Sequence, residues 1–132
     1  MNGQVSVSRF IAKLDSCFDH NDMKGARDCI EYWEKEARES EDDRALLTIL
    51  NEAVGFYRRT QKRGKALAAM EESLDLVDKL GLSGNLSGAT IYINAATTLS
   101  FFGKEAEGLI LYDKAANCYE NEDRTETYEY AA

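Results

Sequence analysis

The sequence predicts an all-α chain, and three observations carry that reading. Apolar residues recur in steps of three and four in every segment that can be delimited, the spacing of one helix face. Alternating apolar and polar runs are missing, as are turn dipeptides between β-branched runs, so strands and hairpins have no signal. Proline is absent from all 132 residues, where average usage of roughly 5% would supply about six. Proline removes a backbone donor and clashes inside a helix, so its absence fits continuous helices joined by short turns.

The first helix is expected at about 6–18, with Val7, Phe10, Ile11, Leu14 and Phe18 on one stripe. His20, Asn21 and Asp22 make a polar turn. A second helix at about 22–40 carries Met23, Ala26, Ile30, Trp33 and Ala37, and a charged connection of Ser40 to Asp43 follows. The third, about 43–59, carries Leu46, Leu47, Leu50, Val54 and Tyr57. The fourth, about 65–80, carries Leu67, Met70, Leu74 and Val77. Gly64 and Gly103 stand where a helix could end on a left-handed residue. Gly81 to Gly88 forms the longest connection, with Ser87 the expected N-cap of the fifth helix. That helix, about 87–102, carries Tyr92, Ala95, Ala96, Leu99 and Phe102. The sixth, about 104–119, carries Leu109, Tyr112, Ala115 and Tyr119. Glu120 to Arg124 is expected to close it, and a seventh begins near Thr125.

Self-comparison reveals a repeat. Ala26, Ala66 and Gly108 fall in register, 40 and then 42 residues apart, each a small residue early in the second helix of a pair. Four residues later come the large residues Ile30, Met70 and Tyr112. A small site beside a large one lets a neighbouring backbone approach. The preceding helices repeat as well: Asn51, Ala53 and Phe56 match Asn94, Ala96 and Leu99.

This pattern resembles the tetratricopeptide repeats, in the longer form of about 42 residues found in kinesin light chains and many bacterial relatives. The family's small positions match Ala96, Gly108 and Ala115 in the third pair and Ala53, Ala66 and Ser73 in the second. The first pair departs, with Trp33 where a small residue is usual, and the family's frequent terminal proline is absent. The resemblance covers about residues 8–132. It implies one domain over 1–132, a right-handed α-α superhelix of three hairpins at about 6–40, 43–80 and 87–120. A partial fourth repeat would occupy 125–132. Solenoids normally finish with a polar cap, so the expectation is the N-terminal part of a longer protein. Exposed apolar faces would then favour association through the C-terminal end, most simply as a two-fold homodimer.

Composition excludes several functions. The 16 basic and 24 acidic residues leave a net charge of −8, which disfavours nucleic acid and anionic membranes. No apolar run spans a bilayer, and the N-terminus has no secretory pattern. Cys17, Cys29 and Cys118 are odd in number and unpatterned, so they read as buried thiols of a cytoplasmic chain. His20, the only histidine, reads as a solvated turn residue, because acid–base work needs a pocket and an orienting partner. Asp19, Asp22, Glu41, Asp42 and Asp43 lack calcium-loop spacing and read as a solvated acidic edge. The Asn85 acceptor pattern has no meaning without secretion. No cofactor or metal is expected.

Two features remain. Arg58, Arg59, Lys62, Arg63 and Lys65 put five cations within eight residues. They either offset the dipole of the third helix or form a patch for an acidic partner. Asn51 and Asn94 form the other feature. The resemblance implies that first helices line a concave groove, where an Asn commonly holds the backbone of an extended peptide. An amide both donates and accepts, so it suits a peptide unit. A structural hydrogen bond between adjacent repeats is the other reading. Tyr92, Thr97, Arg58 and Arg59 could share the groove, as could Gly55 and Thr98. The function implied is non-enzymatic binding of a protein or extended, acidic peptide; the alternative is a peptide-sensing domain regulating an attached or partner effector. Trp33, on the apolar stripe, is expected to be largely buried, at about 3–5 kcal/mol on truncation to alanine.

Overall fold

The computed structural model describes residues 4–131, and side chains through residue 122. Among these the chain is all-helical. Its six helices are α1 (Val7–Asp19), α2 (Met23–Glu39), α3 (Asp43–Arg59), α4 (Arg63–Lys79), α5 (Leu86–Phe101) and α6 (Glu105–Ala131). Each packs on the next, and α1 also meets α3, as α3 meets α5. No helix is long and apolar enough to cross a membrane among the described residues.

Four helix starts follow from short polar side chains that accept the otherwise orphaned amides of the first turn, while Lys62 at the start of α4 makes no such bond. Ser6 accepts from Arg9 N, Asp22 from Gly25 N, Asp42 from Ala45 N and Asn85 from Gly88 N. Two members of the expected solvated acidic edge, Asp22 and Asp42, are therefore caps. Asp42 also takes the amide of Val5 at 2.9 Å, tying the N-terminal segment to α3. Asn85 replaces Ser87 as the cap of α5, so that helix starts one residue earlier than expected.

The five turns share one geometry. A single left-handed residue, Asn21, Glu41, Gln61, Gly81 or Gly103, follows each of the first five helices. The next amide then reaches back to a carbonyl of the last turn, as from Asp22 to Cys17, Lys62 to Tyr57 and Lys104 to Leu99. Gly103 fills its expected role. Gly64 does not: it lies inside α4, and Gln61 takes the left-handed position. A side chain there costs about 1–2 kcal/mol. Gln61→Gly and Glu41→Gly should therefore each stabilise the chain by about 1 kcal/mol. Urea denaturation midpoints that fail to rise would show that these turns carry no such cost.

The core is the one the apolar stripes describe. Phe10, Leu14, Ile30, Ile49, Leu50, Val54 and Val77 are fully buried, and Ala26 and Ala66 sit where helices approach closely. Gly108 holds the third of these small sites. A Cβ there would lie 2.9 Å from the carbonyl oxygen of Ala96, so only glycine lets α6 come this near α5.

Three expectations need correction. Trp33 is only partly buried, at the rim of the core, with Arg9 over its ring and Tyr32 edge-on. The helix turns the smaller Ile30 and Ala37 inward instead. The buried line of α6 is Gly108, Leu111, Ala115 and Cys118, while Leu109, Tyr112 and Tyr119 face water. Here the large apolar residues misled, because the small ones make the close contact with α5. Finally, α6 runs unbroken through residues 120–124 to Ala131, so no separate seventh helix starts at Thr125. That polar stretch contains neither glycine nor proline and has nothing to stop a helix. The side chains of residues 123–131 and all of Ala132 lie outside the described residues.

Candidate functional site

A groove of about 750 Å³ opens across α1, α3 and α5. Phe18 contributes from α1, and Asn51, Gly55, Arg58 and Arg59 from α3; Asn94 and Thr97 line it from α5. Positions 51, 55 and 58 are spaced i, i+4 and i+7, and so present one face of α3. Six of the eight residues singled out in the sequence thus line one cavity.

A hydrogen-bonded ladder ties the middle of the groove together. The Asn94 amide nitrogen donates to the backbone oxygen of Asn51 at 2.9 Å and to its Oδ1 at 2.7 Å. Asn94 Oδ1 accepts from Arg58 Nη1 at 2.8 Å, and Thr98 Oγ1 accepts from the same nitrogen at 2.8 Å. Thr98 in turn donates to the Asn94 carbonyl. The asparagine pair therefore bonds α3 to α5, and Asn94 is occupied. Asn51 Nδ2 and the second terminal nitrogen of Arg58 make no hydrogen bond among the described residues, and both residues line the groove.

Two expected groove residues lie elsewhere. Thr98 is fully buried beneath Arg58. Tyr92 is buried on the opposite side of α5, with the Lys114 ammonium 5.7 Å from its ring centre, and burial raises its pKa. It belongs to the apolar stripe, where a tyrosine ring fills the space between α5 and α6. Thr97 keeps its place at the groove, and its hydroxyl lies 3.1 Å from that of Tyr112.

The five clustered cations do not form one patch. Arg58 is held in the ladder. Arg59 lies over Phe18 at 4.9 Å from the ring centre and makes no ion pair among the described residues. Lys62 and Lys65 border a different cavity, between α2 and α4, where Lys65 Nζ sits 5.5 Å from the Tyr57 ring.

Phe18, Glu52, Thr90 and Ile93 also line the groove without having been singled out. Thr90 was legible, four residues before Asn94 on the same face. Glu52 is half-buried, and desolvation, with the Asp15 carboxylate adding to it, raises its pKa. The groove thus has guanidinium groups at the C-terminal end of α3 and a carboxyl one to two turns earlier.

The remaining candidates keep structural roles. Cys17, Cys29 and Cys118 are free and buried. Burial raises the Cys29 pKa, so its thiol stays protonated at neutral pH. The His20 ring nitrogen meets the Ser16 carbonyl at 2.8 Å, closing the end of α1. No group of side chains suited to a metal occurs among the described residues. No family model, curated protein or solved structure matches the chain.

Proposed function

We propose that the chain is a helical-repeat binding module of the tetratricopeptide kind, and that its groove takes an extended, acidic peptide segment. The observation that carries this reading is the groove across α1, α3 and α5, with Asn51 Nδ2, Arg58 and Arg59 as donors along one wall. Backbone carbonyls and carboxylates of an extended segment are the matching acceptors. Phe18 and Ile93 supply apolar surface beside them. The repeat register of Ala26, Ala66 and Gly108 supports a superhelical stack, in which the first helices of the hairpins share the concave side. The reading is of a binding protein, because the groove lines up hydrogen-bond donors beside apolar surface. Three reduced, buried thiols fit a cytoplasmic setting.

Fluorescence anisotropy with a library of acidic, neutral and basic peptides tests the proposal. Acidic members should bind best and weaken with added salt, because exposed charge pairs are screened. Arg59→Glu should lower their affinity about tenfold or more. Affinity indifferent to both changes would exclude the groove as the site.

A further inference from the structure

The repeat supplies its own control for a second surface. In the first hairpin, Ile30 and Ala37 are 0% and 1% exposed, with α3 packed on α2. In the second, the equivalent Met70 and Val77 are 5% and 0% exposed, with α5 packed on α4. In the third, the equivalents are Tyr112 and Tyr119, at 38% and 48%. Leu109 matches the second hairpin only, because the first has the exposed Arg27 at that place. Its counterpart Leu67 packs against the core, whereas Leu109 is 63% exposed. The two positions that a following helix covers twice are thus open, large and apolar on α6, and Leu109 extends the same face. Phe101, at the end of α5, is exposed as well. The helix α6 continues to Ala131 rather than turning back over this face.

Charge narrows what can lie there. Leu109, Tyr112, Ala116 and Tyr119 recur at i, i+3, i+7 and i+10, which makes one stripe along α6. Glu105, Asp113 and Glu120 stand four residues from Leu109 or Ala116, beside that stripe. None of the three makes an ion pair among the described residues. Two copies of this face would set carboxylates against carboxylates, which argues against the two-fold dimer the sequence suggested.

We propose that the stripe of Leu109, Tyr112 and Tyr119 docks a helix of another protein whose own apolar stripe is flanked by Lys and Arg. The preceding hairpins show that a helix is the shape that covers these positions. The carboxylate border selects its charge. This surface borders the groove where the Tyr112 hydroxyl lies 3.1 Å from that of Thr97, but Leu109 and Tyr119 lie outside the groove lining, so changes at Leu109 probe it apart from the groove.

The test uses the full chain and two synthetic helical peptides. Both carry Leu at i, i+3, i+7 and i+10; one has Lys and Arg at the flanking positions, its twin has Glu. Titration calorimetry should show saturable binding of the basic peptide, with the acidic twin about tenfold weaker or worse. Leu109→Glu should abolish binding, and Asp113→Lys with Glu120→Lys should reverse the preference between twins. All three positions are exposed, and unchanged melting curves will establish that the variants fold. Equal affinity for the twins, or binding of neither, would overturn the proposal. So would a dimer in sedimentation that Leu109→Glu dissolves, because the occupant would then be a second copy.

Discussion

Ile30→Ala is expected to cost about 2–5 kcal/mol, more than Trp33→Ala three residues along the same helix. Side-chain size alone ranks them the other way. Ile30 is fully buried where α2 meets α3, so its truncation leaves a cavity that the surrounding helices cannot close. Trp33 lies at the rim, under Arg9 and against Tyr32. Its removal exposes little new surface, and water fills the space, so the expected loss is about 1–2 kcal/mol. Urea denaturation of both variants decides the order. A larger loss for Trp33→Ala would place the indole in the core, as its sequence position first suggested.

Asn94→Ala is expected to cost about 2–3 kcal/mol, the second large effect. The change strips two hydrogen bonds from Asn51 and one from the Arg58 guanidinium, and bonds to charged groups are worth ~1.5–3 kcal/mol. Asn94→Asp separates the contributions. An aspartate still accepts from Arg58 but sets its oxygens against the two oxygens of Asn51 that need a donor. It should destabilise the chain despite improving the partner of Arg58. A double-mutant cycle with Asn51→Ala should return a coupling of about 1 kcal/mol. Additivity of the two single changes would mean that the ladder does not join the repeats.

The helices were legible in the sequence because each one's register is set by its own apolar spacing, which needs no knowledge of neighbours. The stripes of α1, α3 and α4 turned inward as their patterns required. The failures share a cause. On α6 the inward line is Gly108, Ala115 and Cys118 around Leu111, and a periodicity reading weights size over closeness. Trp33 failed likewise: how deep a stripe residue lies depends on which helix arrives over it. The groove was partly legible. Asn51 and Asn94 occupy equal places in two repeats, 43 residues apart, and equal places meet when repeats stack. Whether those amides faced a ligand or each other turned on a distance, which no spacing encodes. Phe18 was legible as part of the α1 stripe but not as groove wall, since the first hairpin departs most from the repeat.

The pattern of neighbours also governs how the chain comes apart. Among the described residues every helix–helix contact joins elements one or two places apart, and none links α1 and α2 to α5 and α6. Cooperativity must then pass through α3 and α4 like tension through the middle link of a short chain. Either terminal hairpin is expected to open before the middle one, and each opening would uncover a different part of the groove wall: Phe18 at one end, Asn94 and Thr97 at the other. A segment lying along that groove would clasp all three hairpins at once and raise the cost of peeling from both ends together.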